Sequence, residues 1–114
     1  MSPITTHILD TSKGCPITNV LVRLEQQIQD GSWRELSSGT TDNDGRIMNL
    51  LPEEEVLDSG VYQMIFLTAP YFEKQGVPFF YPEIEIRFLL HHPEQHYHIP
   101  LLLSPFGYST YRGS

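Results

Sequence analysis

The 114-residue chain contains a single cysteine, Cys15. One thiol excludes an internal disulfide and the cysteine-rich frameworks that hold structural zinc, and it fits a reducing compartment. Cys15 sits in Lys13-Gly14-Cys15-Pro16, a turn-like stretch with no evident base beside it, so a nucleophilic role is not assigned. Basic residues are also scarce. Seven lysines and arginines stand against fourteen acidic residues, for a net charge of −7. No basic stripe is present to neutralise phosphates, which argues against nucleic-acid partners and against acidic membrane surfaces. No apolar run approaches the roughly 20 residues of a membrane helix. The opening Met1-Ser2-Pro3-Ile4-Thr5-Thr6-His7 lacks the basic and apolar regions of a secretory signal. The ending Tyr111-Arg112-Gly113-Ser114 is not a peroxisomal or endoplasmic-reticulum address. The expectation is a cytoplasmic protein. A Gly-x-Ser-x-Gly elbow is missing, as is a phosphate-cradling glycine loop.

What is present reads as an all-β chain. The length predicts one domain over residues 1–114 with one core, so any site is simple or shared between subunits. Short β-like runs alternate with turn signals. Ile4 to Leu9 is a first strand, and Asp10 to Pro16 a loop. Ile17 to Gln27 reads as a longer strand with Val20, Val22 and Leu24 on one face. Asp30-Gly31 suits a tight primed hairpin turn, followed by a return strand from Trp33 to Thr41. Asp42-Asn43-Asp44-Gly45 is a further turn. Val61 to Leu67 is apolar at nearly every position, which predicts burial on both faces, including against a second subunit. Glu83 to Phe88 alternates, and His96 to Leu103 and Tyr108 to Tyr111 complete the set. Pro70 to Gln75 predicts one short helix, with Pro suited to its first turn and Gly76 to its end. About eight strands and one helix predict two packed antiparallel sheets.

Five histidines stand out: His7, His91, His92, His96 and His98. On a strand His96 and His98 share a face. Such a pair can bind a metal with a third ligand, or exchange protons near neutral pH, or be solvated loop residues. The Asp42–Gly45 turn resembles a calcium loop but fails it. With Gly45 as the loop glycine, Thr40 would take the first ligand position and Leu51 the last, where acidic residues are needed. Gly45-Arg46 does set a guanidinium just after a tight turn, where its planar fork suits carbonyl oxygens or an anionic ring. Glu53-Glu54-Glu55 reads as a solvated loop. The aromatic stretch from Tyr71 to Tyr81 reads as core or interface, without the basic neighbours of a base-stacking platform. The C-terminal stretch could gather a guanidinium, a hydroxyl and a carboxylate in one pocket.

The sequence closely resembles the transthyretin-like 5-hydroxyisourate hydrolases along essentially its whole length. The matching segments are His7-Ile8-Leu9-Asp10-Thr11 with Gly14 and Pro16, Thr41-Asp42-Asn43-Asp44-Gly45-Arg46, Phe79-Phe80-Tyr81-Pro82-Glu83, and the tail from His96 to Ser114. The departures, Ile17 after Pro16 and the Glu53–Glu55 loop, fall outside these motifs. The resemblance implies a transthyretin-like eight-stranded antiparallel β-sandwich with one short α-helix. It further implies a homotetramer, a dimer of dimers with active sites in the cleft between dimers. The implied reaction is hydrolysis of 5-hydroxyisourate to 2-oxo-4-hydroxy-4-carboxy-5-ureidoimidazoline, with no metal or other cofactor.

The family's catalytic residues carry over to His7, Arg46, His98 and Ser114, with Tyr111, Arg112 and Gly113 expected to bind substrate. In this scheme the two histidines handle the water's protons. Arg46 and Arg112 hold carbonyl oxygens, and Ser114 orients a histidine or the substrate. His91, His92 and Cys15 become bystanders, while His96 is left open as a residue sharing a face with His98. Two other readings compete: a small-molecule binding protein of the same fold, and a metal-dependent hydrolase built on His96 and His98.

Overall fold

A computed structural model describes residues 2–114. Among them are nine strands and one helix: β1 (Ile4–Asp10), β2 (Cys15–Pro16), β3 (Leu21–Gln27), β4 (Trp33–Thr40), β5 (Arg46–Ile47), β6 (Gly60–Phe66), α1 (Ala69–Gln75), β7 (Ile84–Leu90), β8 (Tyr97–Ser104) and β9 (Gly107–Thr110). One sheet runs β2-β1-β8-β9, with β5 also paired to β1, and the other runs β4-β3-β6-β7. None of the described helices is long and apolar enough to cross a membrane.

The all-β sandwich with one short helix is as expected, but the sheet is not wholly antiparallel. β1 and β8 run parallel, in register from Ile4 opposite Tyr97 to Asp10 opposite Leu103. Turn signals predict local hairpins, and the direction of a pairing across some ninety residues of chain is not written in either strand. The expected eight strands become seven longer ones plus the two-residue β2 and β5. Both short ladders bind β1, at Leu9–Asp10 and at Thr6–His7 respectively.

Two local expectations are also corrected. The long strand from Ile17 begins only at Leu21, because Asn19 takes a left-handed conformation, φ 63°, which a short polar side chain tolerates. Val20, Val22 and Leu24 are nevertheless all buried. At Asp30-Gly31 only Gly31 has positive φ. The connection is a wider loop in which Gly31 N–H donates to the Ile28 carbonyl and Ile28 N–H to the Ser32 carbonyl. The Asp30 carboxylate accepts from both the backbone and the hydroxyl of Ser32, so it acts as a local side-chain brace rather than a primed-turn residue.

The two inner faces interdigitate. Ile8, Leu101 and Leu103 from one sheet meet Val22, Leu24, Tyr62, Met64 and Phe66 from the other, all fully buried. β6 is covered on its outer face as well, within one chain. Gln63 and Ile65 are buried there, and Gln63 donates to Glu25 and accepts from Arg87. Arg87 in turn lies 5.1 Å over the Trp33 ring. The helix follows its sequence signals: Pro70 in the first turn, Phe72 buried and Gly76 left-handed at φ 68°.

The segment after β1 is tied down by Asp10. Its buried carboxylate accepts from the backbone and hydroxyl of Ser12, from Lys13 N–H, and at 2.6 Å from the Tyr71 hydroxyl on α1. Burial alone would raise the Asp10 pKa, but these hydrogen bonds hold it below its usual value. Burial and the Asp10 bond push Tyr71 up to about 12.

Candidate active site

The site lies on the outer face of the five-stranded sheet and is built by strand register. Alternation sends Ile4, Thr6 and Ile8 one way along β1 and Thr5 and His7 the other. Thr5 is opposite His98 on β8. His7 is opposite Arg46 on β5. Arg46 owes that place to the preceding turn. Asp42 accepts from the backbone N–H groups of Asp44 and Arg46 through one carboxylate oxygen, at 2.8 and 3.0 Å. Those main-chain bonds, Arg46 first, hold the Asp42 carboxyl below its usual range. Gly45 has φ +74°, and a Cβ there would lie 2.5 Å from the Ile8 carbonyl oxygen. Only glycine lets the turn press against β1, where Ile8 N–H donates to the Gly45 carbonyl at 2.8 Å.

Gly45→Ala should therefore do two things. It should cost about 1–3 kcal/mol of stability through backbone strain, read as a lowered denaturant midpoint. It should also displace Arg46 from His7, seen as a shifted His7 resonance. An unchanged midpoint and an unchanged resonance would show that the turn has room to spare.

A cleft of about 300 Å³ is lined by Thr5, Arg46, Met48, His96, His98 and Ser114. His96 and His98 stack, with ring centroids 6.4 Å apart and planes at 20°. The Thr5 hydroxyl, fully buried, lies 2.7 Å from His98 Nδ1 and 3.0 Å from His96 Nε2. Gly113 closes on the far side of His98. Its N–H donates to the His98 carbonyl at 2.8 Å, and a Cβ there would be 2.7 Å from His98 Cδ2. The tail thus fixes the His98 ring by contact with a bare backbone.

The electrostatics favour neutral imidazoles. Burial lowers the His98 pKa, and the Arg46 charge, His96 and His7 lower it further. Burial and then Arg46 lower that of His7, partly offset by a main-chain hydrogen bond with Asp44 and the charges of Asp42 and Asp44. Both should titrate below the ordinary imidazole value of about 6.5, measurable by NMR. The consequence for stability has a definite sign. Between the folded and unfolded values the unfolded chain binds more protons. The contribution of these two groups is thus complete above about pH 6.5 and is lost as pH falls through the folded pKa values. A denaturant midpoint that rose on acidification across that window would contradict this.

Of the residues singled out from sequence, His96, His98, Arg46 and Ser114 line this cleft, Gly113 packs against His98, and His7 is opposite Arg46. Tyr111 and Arg112 do not line the cleft. They line a separate cavity of about 230 Å³ with Ile86, Phe88, Tyr97 and Thr110. The Arg112 guanidinium lies 4.2 Å over the Tyr97 ring and donates to Gln95 Oε1 and to the His96 carbonyl. It clamps the segment leading into β8. Thr5 and Met48 are additions. Thr5 was detectable as the residue two before His7 on the same strand face, whereas Met48 carried no signal. His91 and His92 sit together in the β7–β8 connection, away from this cleft. Among the described residues, no three His, Cys, Asp or Glu side chains converge as a metal-binding group.

A model of the HIUase/Transthyretin family matches residues 4–113. The chain belongs to that family. A 5-hydroxyisourate hydrolase of Salmonella dublin is 48% identical over 111 residues, covering 97% of this chain and 80% of the relative. Among solved structures, sea bream transthyretin in complex with thyroxine has a TM-score of 0.89 at 39% identity, covering 97% of this chain and 94% of its own. The 5-hydroxyisourate hydrolase of Klebsiella pneumoniae has a TM-score of 0.82 at 32% identity, covering 97% and 98%. Hydrolases and transthyretin thus share the HIUase/Transthyretin scaffold almost equally, and side chains rather than backbone must separate their functions.

Proposed function

We propose that this chain hydrolyses 5-hydroxyisourate in urate degradation. The observation that carries the reading is the meeting of His98, Arg46 and Ser114 in one cleft, with His7 paired to Arg46. A cyclic amide needs an activated water, stabilisation of the oxygen that gains charge, and a proton for the departing nitrogen. Neutral His98 takes a proton from water as the hydroxide oxygen bonds to the carbonyl carbon. Arg46 offers a fixed fork of donors to the developing oxyanion. The ring C–N bond then breaks, and the nitrogen receives a proton from His98 or His7. Net, one water is added and the ring opens to 2-oxo-4-hydroxy-4-carboxy-5-ureidoimidazoline. Ser114, at the cleft's edge, orients the substrate or an imidazole.

The cleft opens on the outer face of a sheet, so a second subunit is the natural means of excluding water from it. The reading therefore includes a homotetramer, a dimer of dimers with the site between dimers, within a single domain and a cytoplasmic setting in keeping with one cysteine.

A second reading, a binding protein without turnover, is favoured by the likeness to a transthyretin that holds thyroxine. Product analysis separates the two. The hydrolase reading expects a product one water heavier, formed at a rate that saturates with substrate and scales with protein. Saturable binding of 5-hydroxyisourate with no added product would select the second reading.

A further inference from the structure

The Thr5 hydroxyl touches both His98 Nδ1 and His96 Nε2. A hydroxyl donates one proton and can accept on two lone pairs. Among the described residues the buried Thr5 hydroxyl has these two ring nitrogens as its hydrogen-bond partners, so its proton goes to one of them and it accepts from the other. Two arrangements are possible. In the first, His98 Nδ1–H donates to Thr5, and Thr5 donates to a bare His96 Nε2. His98 Nε2 is then bare and basic. In the second, the order reverses, and His98 Nε2 carries a proton.

We propose that Thr5 and His96 are positioning residues that hold His98 with its proton on Nδ1 and a bare Nε2 toward the cleft. This rests on the reading of His98 as the base and adds the means by which its tautomer is fixed. Two observations and one chemical argument support it. Arg46 shares the cleft with His98, and a guanidinium presents only donors, so it favours a lone pair over a second N–H there. The arrangement also survives the reaction: once Nε2 takes a proton from water, the imidazolium still donates Nδ1–H to Thr5, and no hydrogen bond must reverse. Finally, both histidines are tied down by the tail. Arg112 holds the His96 carbonyl, and Gly113 packs against the His98 ring. The hydrogen bond made by one ring nitrogen sets the role of the other.

Long-range proton–nitrogen NMR on the ¹⁵N-labelled full chain, above pH 7, reads the tautomer directly. Free imidazole of histidine favours the Nε2–H form, so an Nδ1–H signal for His98 is diagnostic. Thr5→Val should shift His98 toward Nε2–H and lower kcat about 10- to 100-fold with KM little changed, the range typical of lost supporting partners of a functional histidine. Thr5→Ser should restore both. An Nε2–H signal for His98 in the unaltered chain would overturn the proposal. So would a folded Thr5→Val protein with unchanged tautomer and kcat. If Thr5→Val fails to fold, the unaltered chain and Thr5→Ser still decide the tautomer. The spectrum needs no turnover. A chain inactive on 5-hydroxyisourate but with His98 as Nδ1–H would refute the proposed function and uphold the tautomer control.

Discussion

His98→Asn should lower turnover of 5-hydroxyisourate by about 10²–10⁴-fold, the usual worth of a positioned acid–base group, while leaving the fold intact. The asparagine amide reaches roughly as far as Nδ1, so it can keep the contact with Thr5. It has no counterpart to Nε2 and cannot take a proton from water. Because the side chain lies on the outer face of the sheet, its replacement leaves the Ile99, Leu101 and Leu103 core untouched. Unchanged circular dichroism and assembly with lost turnover is the expected pair of results. Turnover within a few-fold of the unaltered chain would remove His98 from the chemistry.

Arg46→Ala should cost about 10²–10³-fold in kcat, the scale of a lost oxyanion donor. It carries a second, independent signature. Arg46 lowers the pKa of both His98 and His7, so its removal should raise both. The acid limb of the kcat/KM profile, expected below about pH 6.5 in the unaltered chain, should move up. Arg46→Lys separates charge from shape. A lysine keeps a positive charge near the imidazoles but not the planar fork, so the acid limb should stay low while kcat falls. Full activity in Arg46→Lys would mean that charge alone suffices, and an unmoved acid limb in Arg46→Ala would place the guanidinium too far away to matter.

Period-two patterning and turn residues made the strands legible, because each reports local backbone preference and burial. Val20, Val22 and Leu24 are buried as their spacing predicts, and Pro70 in the first turn and Gly76 just past the last mark the helix. The parallel pairing of β1 with β8 was not legible, since it joins distant segments. β5 was hidden for another reason: a two-residue ladder carries no periodicity. That short ladder sets Arg46 against His7, so the site's geometry depends on an element that no pattern announces. The shared face of His96 and His98 followed from their spacing alone. The placement of Arg112 did not. Sequence adjacency does not fix which cavity a side chain lines, because successive residues of an extended segment point to opposite sides. Here Gly113 meets His98 while Arg112 turns to Tyr97.

The most direct measurement follows the ultraviolet absorbance of freshly generated 5-hydroxyisourate, produced in place by urate oxidase, with the unaltered chain and with His98→Asn. Decay that accelerates in proportion to the unaltered chain, and returns to the spontaneous rate with the variant, is the predicted result. Spontaneous decay in the presence of the correctly assembled, unaltered protein would contradict the hydrolase reading.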